Sequence, residues 1–71
     1  MKFRIDITTS KNSSMKAWKA YFKNTLGDFV CIGGDVDFTT NDAIDTAKDR
    51  IEKFIKNIGI SFNDACIEVC T

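Results

Sequence analysis

The segment from Thr39 to Gly59, TTNDAIDTAKDRIEKFIKNIG, constrains the fold of this chain more than any other. Its apolar residues Ile44, Ala47, Ile51, Phe54, Ile55 and Ile58 recur at steps of three and four, with Ala43 beside them, so they share one stripe of an α-helix. Thr39 and Asp42 stand at capping-box spacing, with Asp in place of the usual Glu or Gln. Asp42 and Asp45 suit the positive end of the helix dipole, Lys53 and Lys56 the negative end. Asp49 with Lys53 and Glu52 with Lys56 are acid-before-base pairs four apart. Gly59 is placed where a left-handed residue closes a helix. An isolated amphipathic helix is marginal in water, so the rest of the chain must give this stripe a surface to lie on.

That surface reads as β-sheet. Residues 2–8 (KFRIDIT) alternate strictly, with Phe3, Ile5 and Ile7 on one side and Lys2, Arg4, Asp6 and Thr8 on the other. Residues 9–14 (TSKNSS) are turn formers and read as a loop. Residues 15–23 (MKAWKAYFK) admit two readings. As a strand, Trp18, Ala20 and Phe22 face the core while Lys19, Tyr21 and Lys23 face out. As a helix, Ser14 caps it, Met15, Trp18 and Phe22 form a stripe, and Gly27 ends it. The strand is preferred, because residues 24–28 (NTLGD) make a hairpin loop into the next alternating run. In that run, residues 29–38, Val30, Ile32, Val36 and Phe38 are expected on one face and Phe29, Cys31, Asp35 and Asp37 on the other. Gly33 and Gly34 form either a bulge in one bent strand or a tight turn between two. Residues 65–70 alternate again, with Ile67 and Val69 against Cys66, Glu68 and Cys70.

The expected fold class is therefore α+β. An antiparallel sheet of three to four strands carries one main helix on one face, in the order β-β-β-α-β. The helical reading of residues 15–23 gives instead a β-α-β-β-α-β, ferredoxin-like plait. Either core contains Phe3, Ile5, Trp18, Phe22, Val30, Ile32, Val36, Phe38, Ile44, Ile51, Phe54 and Ile55, with Phe54 nearly fully buried.

With 71 residues the chain is expected to be a single domain spanning 1–71, near the lower limit for a self-sufficient core. No run approaches the roughly 20 apolar residues of a membrane span, and Met1-Lys2-Phe3-Arg4 leads straight into a strand pattern. The expected location is cytoplasmic, away from membranes. Three cysteines, an odd number, then point to free thiols. Cys66 and Cys70 would stand about 13 Å apart on an extended strand, too far for a disulfide.

Familiar catalytic chemistry finds little footing. The chain has no histidine, so the commonest general base is missing and a zinc site would need all three cysteines plus a carboxylate or a second chain. Asp35, Asp37 and Asp42 do not follow the calcium-loop pattern, which places Gly at its sixth position and Glu at its twelfth. No Gly-rich loop matches a phosphate or dinucleotide fingerprint. The expectation is a non-enzymatic protein without cofactor or metal.

Charge is more informative. Net charge is zero, yet residues 1–26 carry six bases against Asp6 alone, and residues 27–71 carry nine acids against four bases. If residues 15–23 form a strand, the open sheet face presents Lys2, Arg4, Lys19 and Lys23 around Tyr21, with Phe29 and Cys31 beside them. Arg4, Lys19, Tyr21, Lys23 and Phe29 are the first candidates for binding a partner, with a protein preferred. The basic N-terminal half leaves nucleic acid open, and a homodimer is open as well. Asp35, Asp37, Asp42 and Asp45 form a second candidate surface.

The run from Trp18 to Ile58, in which alternating strands lead into Thr39-x-x-Asp42-Ala43 and a helix rich in Ala, Lys and acidic residues, resembles the HicB-type antitoxin core. That resemblance implies a partial double-stranded-RNA-binding-like β-β-β-α-β fold and an antitoxin-like role beside a toxin partner. The family's helix often opens with Thr-x-x-Glu-Ala. This chain departs from the pattern in having no proline before the helix, and an appended DNA-binding domain is not expected. In size, dipolar charge and lack of catalytic groups the chain also resembles small phage-encoded inhibitors of bacterial defence, such as anti-CRISPR proteins. That likeness implies an inhibitor or regulator that occupies a surface on a nucleic-acid-handling machine.

Overall fold

The computed structural model describes residues 1–9, 14–59 and 65–71, so most of the expected loop over residues 9–14 lies outside the described residues. Four strands and one helix follow in the order β1 (Lys2–Thr9), β2 (Lys16–Lys23), β3 (Phe29–Asp37), α1 (Thr40–Ile58) and β4 (Cys66–Cys70). Residues 16–23 are strand, and the ferredoxin-like alternative falls away. The sheet order is β3-β2-β1-β4. The first three strands are antiparallel neighbours as expected, but β4 joins β1 in parallel, which makes the sheet mixed. A helix between β3 and β4 allows this, since parallel strands need a long crossover.

Local chemistry explains each element. Thr39 is the N-cap, its Oγ1 accepting from Asp42 N–H at 3.1 Å. Gly59 closes α1 at φ 77°, its N–H donating to the carbonyls of Ile55 and Lys56. Lys53 lies 3.4 Å from Asp49, and Lys56 lies 3.7 Å from Glu52. Between β2 and β3 the Asn24 side chain accepts from the N–H groups of Leu26 and Asp28, and Gly27 supplies the turn's positive φ of 88°.

The helix lies on one sheet face. Ala43, Ala47, Ile51 and Ile55 are buried against Phe3, Ile5, Ile7, Trp18 and Ala20. Ile44, Phe54, Phe22, Ile32, Ala65 and Ile67 pack around them half-buried. Phe54 thus sits at the margin of the core rather than in its centre. Its ring meets Phe22 at 5.2 Å and Phe3 at 6.1 Å between centroids, the second edge-on.

β3 departs most from the expected pattern. Ala20 pairs with Gly33 and Tyr21 with Cys31, so Ile32 is an extra residue in the register. The Gly33-Gly34 region is therefore a bulge in one long strand, and a bulge reverses side-chain parity beyond it. Val36 lies opposite Ala17 on the open face, while Asp35 and Asp37 lie opposite Trp18 and Lys16 on the helix side. Val30, Val36 and Phe38, expected in the core, are 48%, 49% and 77% exposed. Val30 keeps its parity but sits at the sheet edge, and Phe38 follows the strand's end. The bulge also brings the helix close: a Cβ at Gly33 would fall 2.6 Å from Arg50 Nε.

Candidate binding face

The face of the sheet opposite α1 collects every first-choice residue. Strict alternation puts Arg4 on it from β1, and Lys19, Tyr21 and Lys23 from β2. Phe29 enters from β3, opposite Lys23. The register makes Arg4 and Tyr21 neighbours, and Tyr21 and Cys31. Arg4 Cζ and Lys23 Nζ each stand 5.9 Å from the centre of the Phe29 ring, so two cations flank one aromatic. Phe29 remains 40% exposed there.

Arg4 is not an unengaged charge. Its Nε donates to Asp6 Oδ1 at 2.7 Å, and this bond, backed by the carboxylate's charge, raises the guanidinium pKa above its ordinary value. Glu68 stands opposite Arg4 in the register of the parallel ladder, and Lys19 stands opposite Asp6 in that of the antiparallel one. Acids and bases alternate over the face instead of forming one positive field. Beside this patch lies a shallow cleft of about 400 Å³ whose open-face lining includes Ala17, Lys19, Tyr21 and Val36. Sequence reasoning missed Val36 as part of this surface. The Gly-Gly pair was the available signal, because a bulge there moves Val36 from core to open face.

The second candidate surface is divided between β3, which carries Asp35 and Asp37, and α1, which carries Asp42 and Asp45. Asp37 Oδ2 accepts from Trp18 Nε1 at 3.1 Å, and Asp35 Oδ1 accepts from the Val36 N–H at 2.8 Å. Asp42 lies in the first turn of α1 and Asp45 is exposed further along it. Among the described residues, no group of three or more cysteine or carboxylate side chains is placed to hold a metal ion. The three thiols are free, and strand register puts all of them on the open face, Cys31 on β3 and Cys66 and Cys70 on β4. Among the described residues, no helix is long and apolar enough to cross a membrane.

Fold and face together define a small α+β module with one sheet face covered by its helix and the other left open. Compared with protein-family models, curated proteins and solved structures, the chain finds no match.

Proposed function

We propose that this chain works by binding rather than by catalysis, as a cytosolic inhibitor or regulator whose open sheet face docks on an acidic surface of a partner protein. The observation that carries this reading is the exposed Phe29 ring with the Arg4 and Lys23 cations each 5.9 Å from its centre, on the same sheet face as the cleft lined by Tyr21, Ala17 and Val36. Aromatic and arginine side chains around an apolar depression are the usual anchors of a protein interface. Nucleic acid is the weaker reading. A phosphate track calls for uncompensated cations, whereas Asp6 and Glu68 are interleaved with the bases here. An inhibitor of the kind phages direct against bacterial defence fits this scheme. The element order β-β-β-α-β favours, as a second reading, an antitoxin-like module with a toxin protein as its partner.

The test starts with capture of the partner from the cell that makes the chain. Wild type, Lys19→Glu, Lys23→Glu and Tyr21→Ala are then titrated against that partner at two salt concentrations. Each charge reversal should weaken binding about tenfold, and Tyr21→Ala should cost ~2 kcal/mol or more, the scale of an interface hot spot. Melting temperatures should stay within a few degrees, because exposed charges contribute little stability. Wild-type affinity in all three variants would remove the open face from consideration. A nucleic acid as the captured ligand, with a steep salt dependence, would replace the protein reading.

A further inference from the structure

The outer edge of β3 is a second surface, which shares Phe29 and Val36 with the open face described above. Of the eight large apolar side chains that stand exposed among the described residues, five lie between residues 26 and 38: Leu26, Phe29, Val30, Val36 and Phe38. β3 is nine residues long, ends the sheet, and contains no lysine, arginine or proline. Lysine, proline and short strands are common guards of an open edge, the last seen in the five-residue β4 at the opposite edge, whereas β3 carries a bulge at Ile32 and the helix-side carboxylates of Asp35 and Asp37. The bulge lies at Ile32, so Gly33 to Asp37 keep an unbroken register with β2. Within that run Val36 faces the open side, while Asp35 and Asp37 face the helix side. Among the described residues neither carboxylate has a cation within ion-pair distance.

We infer that β3 accepts an extended segment of a partner protein as a fifth strand, and that this segment alternates apolar with basic residues. Directly opposed side chains on neighbouring strands share a face and interact, so the pattern of β3 dictates that of its guest. Apolar residues would meet Val36 on the open side, and lysine or arginine would meet Asp35 and Asp37 on the helix side. Backbone hydrogen bonds supply affinity in this mode of recognition, and alternate side chains supply selectivity. A second copy of the chain is a poorer guest, because its own β3 would bring acids against acids and β4 offers only Glu68.

The probe is a nine-residue peptide alternating lysine and valine, titrated into the ¹⁵N-labelled full chain by NMR. Its control is the same peptide with glutamate for lysine. Amide shifts should concentrate between residues 28 and 38 for the lysine peptide, weaken with salt, and be absent for the glutamate peptide. Asp35→Lys should lower the apparent affinity at least tenfold, while Lys19→Glu on the open face should leave it within twofold. The Lys19 variant separates this edge from the open-face reading, since each can fail without the other. Absence of shifts with the lysine peptide, equal shifts with both peptides, or shifts centred on β1 would overturn the inference. So would a dimer of the free chain in sedimentation that Asp35→Lys disrupts, which would assign the edge to self-association.

Discussion

Asp37 looks like surface charge in the sequence, yet its carboxylate accepts the Trp18 indole N–H at 3.1 Å. Trp18 is 3% exposed and belongs to the core, so this bond satisfies the one polar group that the indole carries inward. Replacing Asp37 with alanine leaves that donor without its acceptor. A hydrogen bond to a charged group is worth ~1.5–3 kcal/mol, and an orphaned buried donor costs a similar amount. Asp37 is half-exposed, which lets water take up part of the role and lowers the expected loss to about 1–2 kcal/mol. Against a total stability of roughly 4–11 kcal/mol for a chain of this length, the change is easily measured. Trp18 is the only tryptophan, so urea unfolding followed by its fluorescence reports directly from the site. A domain this small has a urea slope near ~1 kcal/mol per molar, and the midpoint should fall by about 1–2 M. Asp35→Ala is the matched control. Its carboxylate is exposed and, among the described residues, bonds only the neighbouring Val36 N–H, so the midpoint should move by less than about 0.5 M. Equal midpoints for the two variants would refute the assignment of Asp37 as the indole's partner.

Two further substitutions test the helix. Phe54→Ala should cost about 2–4 kcal/mol, below the loss expected for a fully buried ring, because Phe54 is half-buried and touches Phe3 and Phe22 at the margin of the core; a melting temperature within a few degrees of wild type would contradict that packing. Gly59→Ala should cost ~1 kcal/mol, since a side chain at φ 77° is strained even though, among the described residues beyond its chain neighbours, no atom lies within 4 Å of the added Cβ; an unchanged denaturation midpoint would mean that α1 ends in another way.

The helix was legible almost residue by residue because all its determinants are local. The cap at Thr39, the closing Gly59 and the ion pairs of Lys53 and Lys56 each depend on neighbours within four positions. β1 and β2 were legible because alternation survives unbroken along both. The parallel seating of β4 was not, since a strand's own pattern says nothing about which neighbour it joins or in which direction. Phe54 was overestimated for a related reason. Its position on the helical stripe is a local fact, but its depth depends on where the sheet ends beneath it.

The candidate surfaces divide along the same line. Arg4, Lys19, Tyr21 and Lys23 reached one face as the alternation requires, because no irregularity intervenes in β1 or β2. On β3, one extra residue at Ile32 exchanged the roles of everything beyond it. Val36 left the expected core for the open face, and Asp35 and Asp37 left the open face for the helix side. That exchange has chemical consequences out of proportion to one residue. It hands Trp18 a carboxylate partner, since Asp37 could not reach the indole from the other side of the sheet. It also gives the last five residues of β3 an apolar outer side and an acidic inner side, the pattern that a basic, alternating strand would complement. Without the bulge, Val36 would be core and the two aspartates would add negative charge to the open face beside Lys19 and Lys23. Both proposed surfaces therefore depend on the same insertion: it keeps two further carboxylates off the open face, and it puts Asp35 and Asp37 on the helix side of the β3 edge.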